Sequence, residues 1–280
     1  MTDKVAFISG ASRGIGAESA VALARAGYRV AITARTLAEG EAHDHLGSDS
    51  PLAGSLRATA MAVERAGSEA LCLRADILEP DSLADAARAA TEHFGRVDLL
   101  FNNAVYQGTG NIEPLLEVGD DQLAAIYRAN VFTPLTLVRA LLPGMLARGG
   151  GTILNMVSHS AYTNPPAPGD SGGWGFAYPS SKAALSRMAP SLRAEHPDSG
   201  LRAFNLEPGL VVTEVMRRAG MDEAVMARFK PCTPAAIAAV VAWLADNEPP
   251  ASWQPEEILR GPRIAKELGM LGTPSFLETD

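Results

Sequence analysis

Cysteine is almost missing from this chain: Cys72 and Cys232 are the only two. That count excludes a disulfide framework and a cysteine-rich metal site. Cys72 lies in "EALCLRAD", which reads as a buried strand. An excess of positive charge is missing too. A net charge of -8, with a pI near 5.2 and no dense Lys/Arg cluster, argues against a nucleic-acid surface, so any phosphate must be bound locally. The chain shows no membrane-spanning apolar run of about 18 residues, and "MTDKVAFISG" enters a strand almost at once without a charged leader followed by a long apolar segment, so a cytoplasmic protein without a membrane partner is expected. His43 and His45 sit in a polar stretch without an obvious further ligand set, and no metal site is expected.

What is present is an alternation. The 280 residues are 47% hydrophobic, enough for a sizeable core. Short apolar runs, "KVAFIS", "YRVAIT", "EALCLRAD", "VDLLFNN", "GTILNMVS" and "LRAFNLEP", alternate with helical patterns at 17–27, 53–66, 81–94, 120–147 and 177–195. Buried strands separated by helices imply βαβ units. The expected fold is a single Rossmann-type doubly wound α/β domain, its mostly parallel sheet flanked by helices on both faces. That domain is assigned to residues 1–246, with a tail over 247–280 holding a short last strand in "EEILRG" and a helix through "RIAKELGML". The prolines and glycines of 164–175 predict a loop.

"SGASRGIG" joins the first strand to the first helix, with Gly10, Gly14 and Gly16 in between. Missing side chains let the backbone approach a pyrophosphate, and the helix N-terminus offers free N–H groups. An acid at the end of the second strand would serve an adenosine ribose and repel a 2′-phosphate. This strand ends with Ala34 and Arg35 instead, and Arg13 offers a second guanidinium. Either both arginines are solvated or they clamp a phosphate dianion, and the second reading favours NADP(H), with NAD(H) as the alternative.

"YPSSK" places Tyr178 and Lys182 four residues apart, on one helix face. Spacing alone leaves two readings open, a catalytic pair and an ordinary surface pair. The other motifs decide. "SGASRGIG", Asp76 in "RADI", "NNA" at 102–104, Asn130 in "YRANVF", Ser158 in "ILNMVS", "YPSSK" and "NLEPGLVVT" occur in the order in which they stand in the classical short-chain dehydrogenase/reductase family. The chain resembles that family from residue 4 to about 246.

The resemblance implies hydride transfer between a nicotinamide and a carbonyl or secondary alcohol. Tyr178 would be the general acid in reduction and base in oxidation, its pKa drawn down from about 10 by a nearby ammonium and an oxidised nicotinamide. Lys182 would supply that ammonium and hold the nicotinamide ribose. Ser158 would position the substrate oxygen, and Asn130 would hold a water linking Lys182 to solvent. Against the cofactor the resemblance places Ser9, Gly10, Ser12, Arg13, Gly14, Ile15 and Gly16. Asp76 and Ile77 would meet the adenine, Asn103 and Ala104 the adenosine ribose, and Pro208, Gly209, Val211 and Thr213 the nicotinamide end. Asp76 also reads as a strand-end cap, and Asn130 as a structural hydrogen-bonder.

The departures from the family pattern are local. Ser9 stands where threonine is usual and keeps the hydroxyl, and Val105 replaces a glycine near the entrance. Ser158 and Tyr178 are further apart than is common, which predicts a substrate-facing flap over 160–176. Val105, His159, Trp174, Phe176 and Met216, the last in a substrate-side segment at 213–230, are expected to meet a hydrophobic substrate. A homodimer or homotetramer, joined through the helices at 120–147 and 177–195, is implied by the resemblance. The tail would cover a neighbouring subunit or the active-site mouth. Two other functions fit parts of the pattern: a redox sensor that binds NADP(H) without turnover, and a lyase or dehalogenase that reuses the Ser–Tyr pair.

Overall fold

The apolar runs become parallel strands, mostly buried except at one sheet edge, where the "EALCLRAD" run, read as buried, leaves Cys72 only half-buried. The structure, a computed structural model, describes residues 4–43, 50–171, 173–213, 231–253 and 258–277. The strands are β1 (Val5–Ser9), β2 (Arg29–Ala34), β3 (Ala70–Arg74), β4 (Leu99–Asn102), β5 (Gly151–Met156), β6 (Leu201–Glu207) and β7 (Ile258–Arg260). They form one sheet in the order β3-β2-β1-β4-β5-β6-β7, all pairs parallel. The helices are α1 (Gly14–Arg25), α2 (Leu56–Arg65), α3 (Pro80–Phe94), α4 (Asp120–Tyr127), α5 (Thr133–Ala147), α6 (Ala177–Ser186), α7 (Met188–Glu195), α8 (Pro234–Asp246) and α9 (Gly261–Glu267). One apolar core packs α1, α2, α8 and α9 on one face of the sheet; another packs α3, α5 and α7 on the other. The chain reverses its direction of travel across the sheet between β1 and β4, where ligands of such sheets bind.

Two expected helices are interrupted, each for the same reason. Residues 120–147 divide into α4, a π-helical turn (Arg128–Phe132) and α5. Four residues after Asn130 stands Pro134, which has no N–H to give the Asn130 carbonyl. Residues 177–195 divide at Arg187 into α6 and α7, and here Pro190 deprives the Ser186 carbonyl of its donor. That carbonyl is satisfied from the sheet instead. Asn102, Asn155 and Asn205 lie in register across β4, β5 and β6. Asn102 Nδ2 donates to Asn155 Oδ1 at 2.9 Å, Asn155 Nδ2 to Asn205 Oδ1 at 3.3 Å, and Asn205 Nδ2 to the Ser186 carbonyl at 2.6 Å. The buried ladder couples strand register to α6. The expected helix at 53–66 begins only at Leu56, because Ser55 Oγ accepts the Ala58 N–H at 3.1 Å and caps it.

The tail forms the short strand β7 and the helix α9. Beyond them, residues 275 and 276 pack on the chain's own α1. Glu18, only 5% exposed, accepts hydrogen bonds from Ser275 Oγ at 2.5 Å and the Phe276 N–H at 2.6 Å. The stretch Asp120–Ala147 also contains an 18-residue window apolar enough to cross a membrane, contrary to the reading of the sequence. Leu137, Val138, Leu141 and Met145 of that stretch are buried in the core beside α3.

Candidate active site

The assigned residues lie where the strands end. Ser9 closes β1, Arg35 follows β2, Asp76 follows β3, Asn103 follows β4, Ser158 follows β5 and Pro208 follows β6. All are carboxyl ends of parallel strands, so one edge of the sheet collects them.

α6 starts at Ala177, which puts Tyr178 in its first turn, where Pro179 costs no hydrogen bond. Lys182 follows one turn later and is 2% exposed. Its Nζ donates to the Met156 carbonyl at 2.8 Å and lies 5.9 Å from the centre of the Tyr178 ring. Burial pushes the Lys182 pKa down from 10.5 to about 7. Burial also raises the Tyr178 phenol above its ordinary value, and a hydrogen bond with Ser158 opposes that rise. This direction is opposite to the expected one. The cost of burying a phenolate outweighs the help it receives in the protein alone.

Ser158 Oγ accepts the Ser160 N–H at 3.3 Å and lies 3.0 Å from Ser160 Oγ, capping a 3₁₀ turn (His159–Ala161). Asn130 is 1% exposed, and its amide is committed to structure: Oδ1 accepts the Tyr106 N–H at 3.0 Å and Nδ2 donates to Ser181 Oγ at 3.0 Å. Asn130 therefore ties the strand β4 exit to α6 through its side chain, while its backbone carbonyl is the one that Pro134 leaves without an α-helical donor.

The glycine loop is closed around its own backbone. A Cβ on Gly10 would stand 2.8 Å from Ala104 Cα, and one on Gly16 would overlap the Gly10 carbonyl. Gly14 faces Thr213, whose methyl would be 3.7 Å from an added Cβ. Ser9 Oγ accepts the N–H groups of Asn103 and Ala104, both at 3.1 Å, and Asn103 Nδ2 donates to the carbonyls of Ser9 and Gly10, both at 3.0 Å. Ser12 is buried, Ile15 packs against the core under α1, and Gly209 has a positive φ of 68°. Val211 bridges to Cys232.

The adenosine end departs from expectation. Arg13 does not stand open to a phosphate: Nε donates to the Ala53 carbonyl at 2.9 Å, and Nη2 donates to the Gly54 carbonyl at 2.8 Å and to Thr36 Oγ1 at 3.3 Å. Carbonyls of the segment before α2 take the place assigned to phosphate oxygens. A cleft of about 360 Å³ lies beside this contact, lined by Ser12, Met61, Arg65 and Leu277 among others. Arg35 is half-buried at the end of β2. Asp76 Oδ1 accepts the Leu78 N–H at 2.9 Å, which makes it a strand-end cap, and the Ile77 carbonyl accepts from Thr133 Oγ1 at 2.7 Å.

Of the substrate candidates, Val105 is half-buried and His159 is exposed. The His159 and Trp174 rings meet edge to face at 6.5 Å. A cleft of about 700 Å³ runs between the segment expected to form the flap and the loop at 114–115, lined by Leu115, Ser160, Trp174, Phe176 and Pro179 among others. Met216, with the rest of the segment from 214 to 230, lies outside the described residues, as does His45.

A family model described as short chain dehydrogenase matches residues 4–224. The chain belongs to this family. Among curated relatives, the short chain dehydrogenase mpl6 of Monascus purpureus is 31% identical, over 95% of this chain and 88% of its own length. Among solved structures, a metagenomic short-chain oxidoreductase in complex with NADP is 30% identical with a TM-score of 0.68, covering 89% of this chain and 93% of the other. A 7α-hydroxysteroid dehydrogenase complexed with NADH and 7-oxo glycochenodeoxycholic acid is 26% identical with a TM-score of 0.71, covering 92% of each chain. This short-chain dehydrogenase is accordingly an oxidoreductase whose structural neighbours bind NADP or NAD.

Sequence reasoning missed several parts of the dehydrogenase site. Ser181 and Ser160 are buried partners of Asn130 and Ser158, and only their place inside the quoted motifs could have flagged them. Tyr162 and Glu207 hydrogen-bond across 45 residues at 2.7 Å, a pairing without a local sequence signal.

Proposed function

We propose that this chain is an NADP(H)-preferring oxidoreductase that interconverts a carbonyl and a secondary alcohol on a hydrophobic small molecule. The observation that carries the reading is the convergence of Ser158, Tyr178 and Lys182, from β5 and α6, on the sheet edge that also holds the glycine loop.

The residues present fit a dinucleotide. Side chains at Gly10 and Gly16 would collide with neighbouring backbone, and a Cβ on Gly14 would meet only the Thr213 methyl, at 3.7 Å. Gly10 to Gly16 would hold the pyrophosphate, Asp76 and Ile77 the adenine, and Pro208 to Thr213 the nicotinamide end. When bound, the nicotinamide supplies or receives the hydride. The chain's own residues manage the proton. Tyr178 delivers a proton to the carbonyl oxygen in reduction and removes it from the alcohol in oxidation. Ser158 hydrogen-bonds the same oxygen and holds it at the phenol. Lys182, fixed by the Met156 carbonyl, would hold the ribose hydroxyls, and Asn130 would hold a water that connects it to solvent.

The NADP(H) preference rests on Arg35 and on the absence of an acid at the end of β2. The NADP-bound relative supports it, the NADH-bound one does not. Trp174, Phe176 and Leu115 make the flap-side cleft apolar, which suits a hydrophobic substrate. A cytoplasmic homodimer or homotetramer, without a nucleic-acid or membrane partner, completes the proposal. Parallel fluorescence titrations with NADPH and NADH test it: NADPH should bind about tenfold more tightly, as one charge-assisted contact to the 2′-phosphate provides. Tighter NADH binding would reverse the preference, and binding of neither would remove the oxidoreductase reading.

A further inference from the structure

The turn that carries Ser158 is attached to the end of β6 by a chain of polar side chains. Tyr162 Oη donates to Glu207 Oε2 at 2.7 Å. Glu207 is 6% exposed and immediately precedes Pro208 and Gly209. Arg260, from β7, lies over the Tyr162 ring, 5.8 Å from its centre. On the other side, His159 Nδ1 is 3.0 Å from Tyr162 Oη.

A phenol has one proton to donate. A carboxylate can only accept, so that proton goes to Glu207, and the Tyr162 oxygen has only lone pairs left for His159. His159 Nδ1 must then carry the ring proton. A neutral imidazole so fixed presents Nε2 as an acceptor. His159 is exposed, directly follows Ser158, and meets the edge of Trp174 beside the flap cleft.

We propose that Tyr162 and Glu207 are positioning residues that hold His159 in its Nδ1–H form, and that Nε2 accepts a hydrogen bond from the substrate. The preferred substrate is then a carbonyl compound bearing a hydroxyl or other donor close to the reacting carbon. This rests on the carbonyl-reductase reading above and narrows its substrate class.

Two readouts test it. Long-range ¹H–¹⁵N NMR of the histidine rings at pH 8, with the His159 signals identified by their loss in His159→Gln, reads the tautomer without turnover. The wild type should show Nδ1–H. Tyr162→Phe keeps the ring and removes only the hydroxyl, and should return His159 to the Nε2–H form that imidazole favours in water. Glu207→Gln keeps an acceptor for Tyr162 and should retain Nδ1–H. In parallel, kcat/KM with NADPH is compared for acetophenone and its α-hydroxy derivative. The preference for the hydroxylated ketone should fall about fivefold to tenfold in Tyr162→Phe, the value of one hydrogen bond, and persist in Glu207→Gln. Nε2–H in the wild type, or a tautomer change that leaves the substrate ratio untouched, would overturn the proposal. If the wild type oxidises NADPH with neither ketone, the carbonyl-reductase reading fails, and the positioning role is decided by the ring tautomers alone.

Discussion

The two ends of the cofactor cleft are built in different ways. At the nicotinamide end, Lys182 and Asn130 are almost fully buried, Ser158 is held by its own turn, and the buried asparagine ladder ties α6 to three strands. At the end proposed for adenosine, the groups proposed to discriminate are arginines on long side chains, and Arg13 is tied to carbonyls at 53 and 54. The first end gets its geometry from the packing of the sheet, so its motif residues stay where the fold puts them. The second end gets its chemistry from side chains with several partners to choose from. Catalysis should therefore tolerate little change, and cofactor choice should be easy to alter.

The largest effect that would break this contrast is at Tyr178. Tyr178→Phe removes the transferable proton and almost no volume, so turnover should fall by about a thousandfold while NADPH affinity stays within about twofold. Single-turnover kinetics alongside a binding titration would show it; a fully active variant would mean that the chemistry lies elsewhere.

A smaller effect sharpens the role of burial. The folded pKa of Lys182 is lowered to about 7 from 10.5, so the buried ammonium disfavours the fold at all pH values below about 7. Between the two values the unfolded chain binds more protons, and stability rises with pH. Lys182→Met removes that term. The variant protein without nucleotide should be the more stable of the two at pH 6, by a few kcal/mol at most, with the gap closing by about pH 10. Chemical denaturation across that range would check it, and turnover of the variant should be lost.

The smallest effect separates the two arginines. Arg35→Ala should weaken NADPH by about tenfold and leave NADH unchanged. Arg13→Ala should lower both affinities alike and cost about 1–2 kcal/mol of stability, because it strands the backbone carbonyls that it now satisfies. An NADPH-selective loss at Arg13 would show that its guanidinium leaves those carbonyls for the phosphate.

The same contrast explains what could be read beforehand. The strand runs, the glycine loop and the Tyr178–Lys182 spacing are local patterns, and the fold follows their order. The breaks in the long helices were also legible in principle, since Pro134 and Pro190 each sit four residues after the carbonyl that they leave without an α-helical donor. The partners of Arg13, the Tyr162–Glu207 bond and the seat of the tail on α1 were not. Each joins groups far apart in the chain, and no spacing rule connects Arg13 with Ala53 or Glu18 with Ser275. The pKa direction at Tyr178 was missed for a different reason: the spacing shows which charge is near, while burial depends on everything packed around it.

The Glu18 contact bears on how the molecule is made. A carboxylate in the middle of the first helix lies in the interior, and residues 275 and 276 supply two of its hydrogen bonds. During synthesis those residues are added more than two hundred positions later. Until they emerge from the ribosome, α1 carries this carboxylate without those two hydrogen bonds. The first helix and two of the groups that complete its interior are thus made far apart in time.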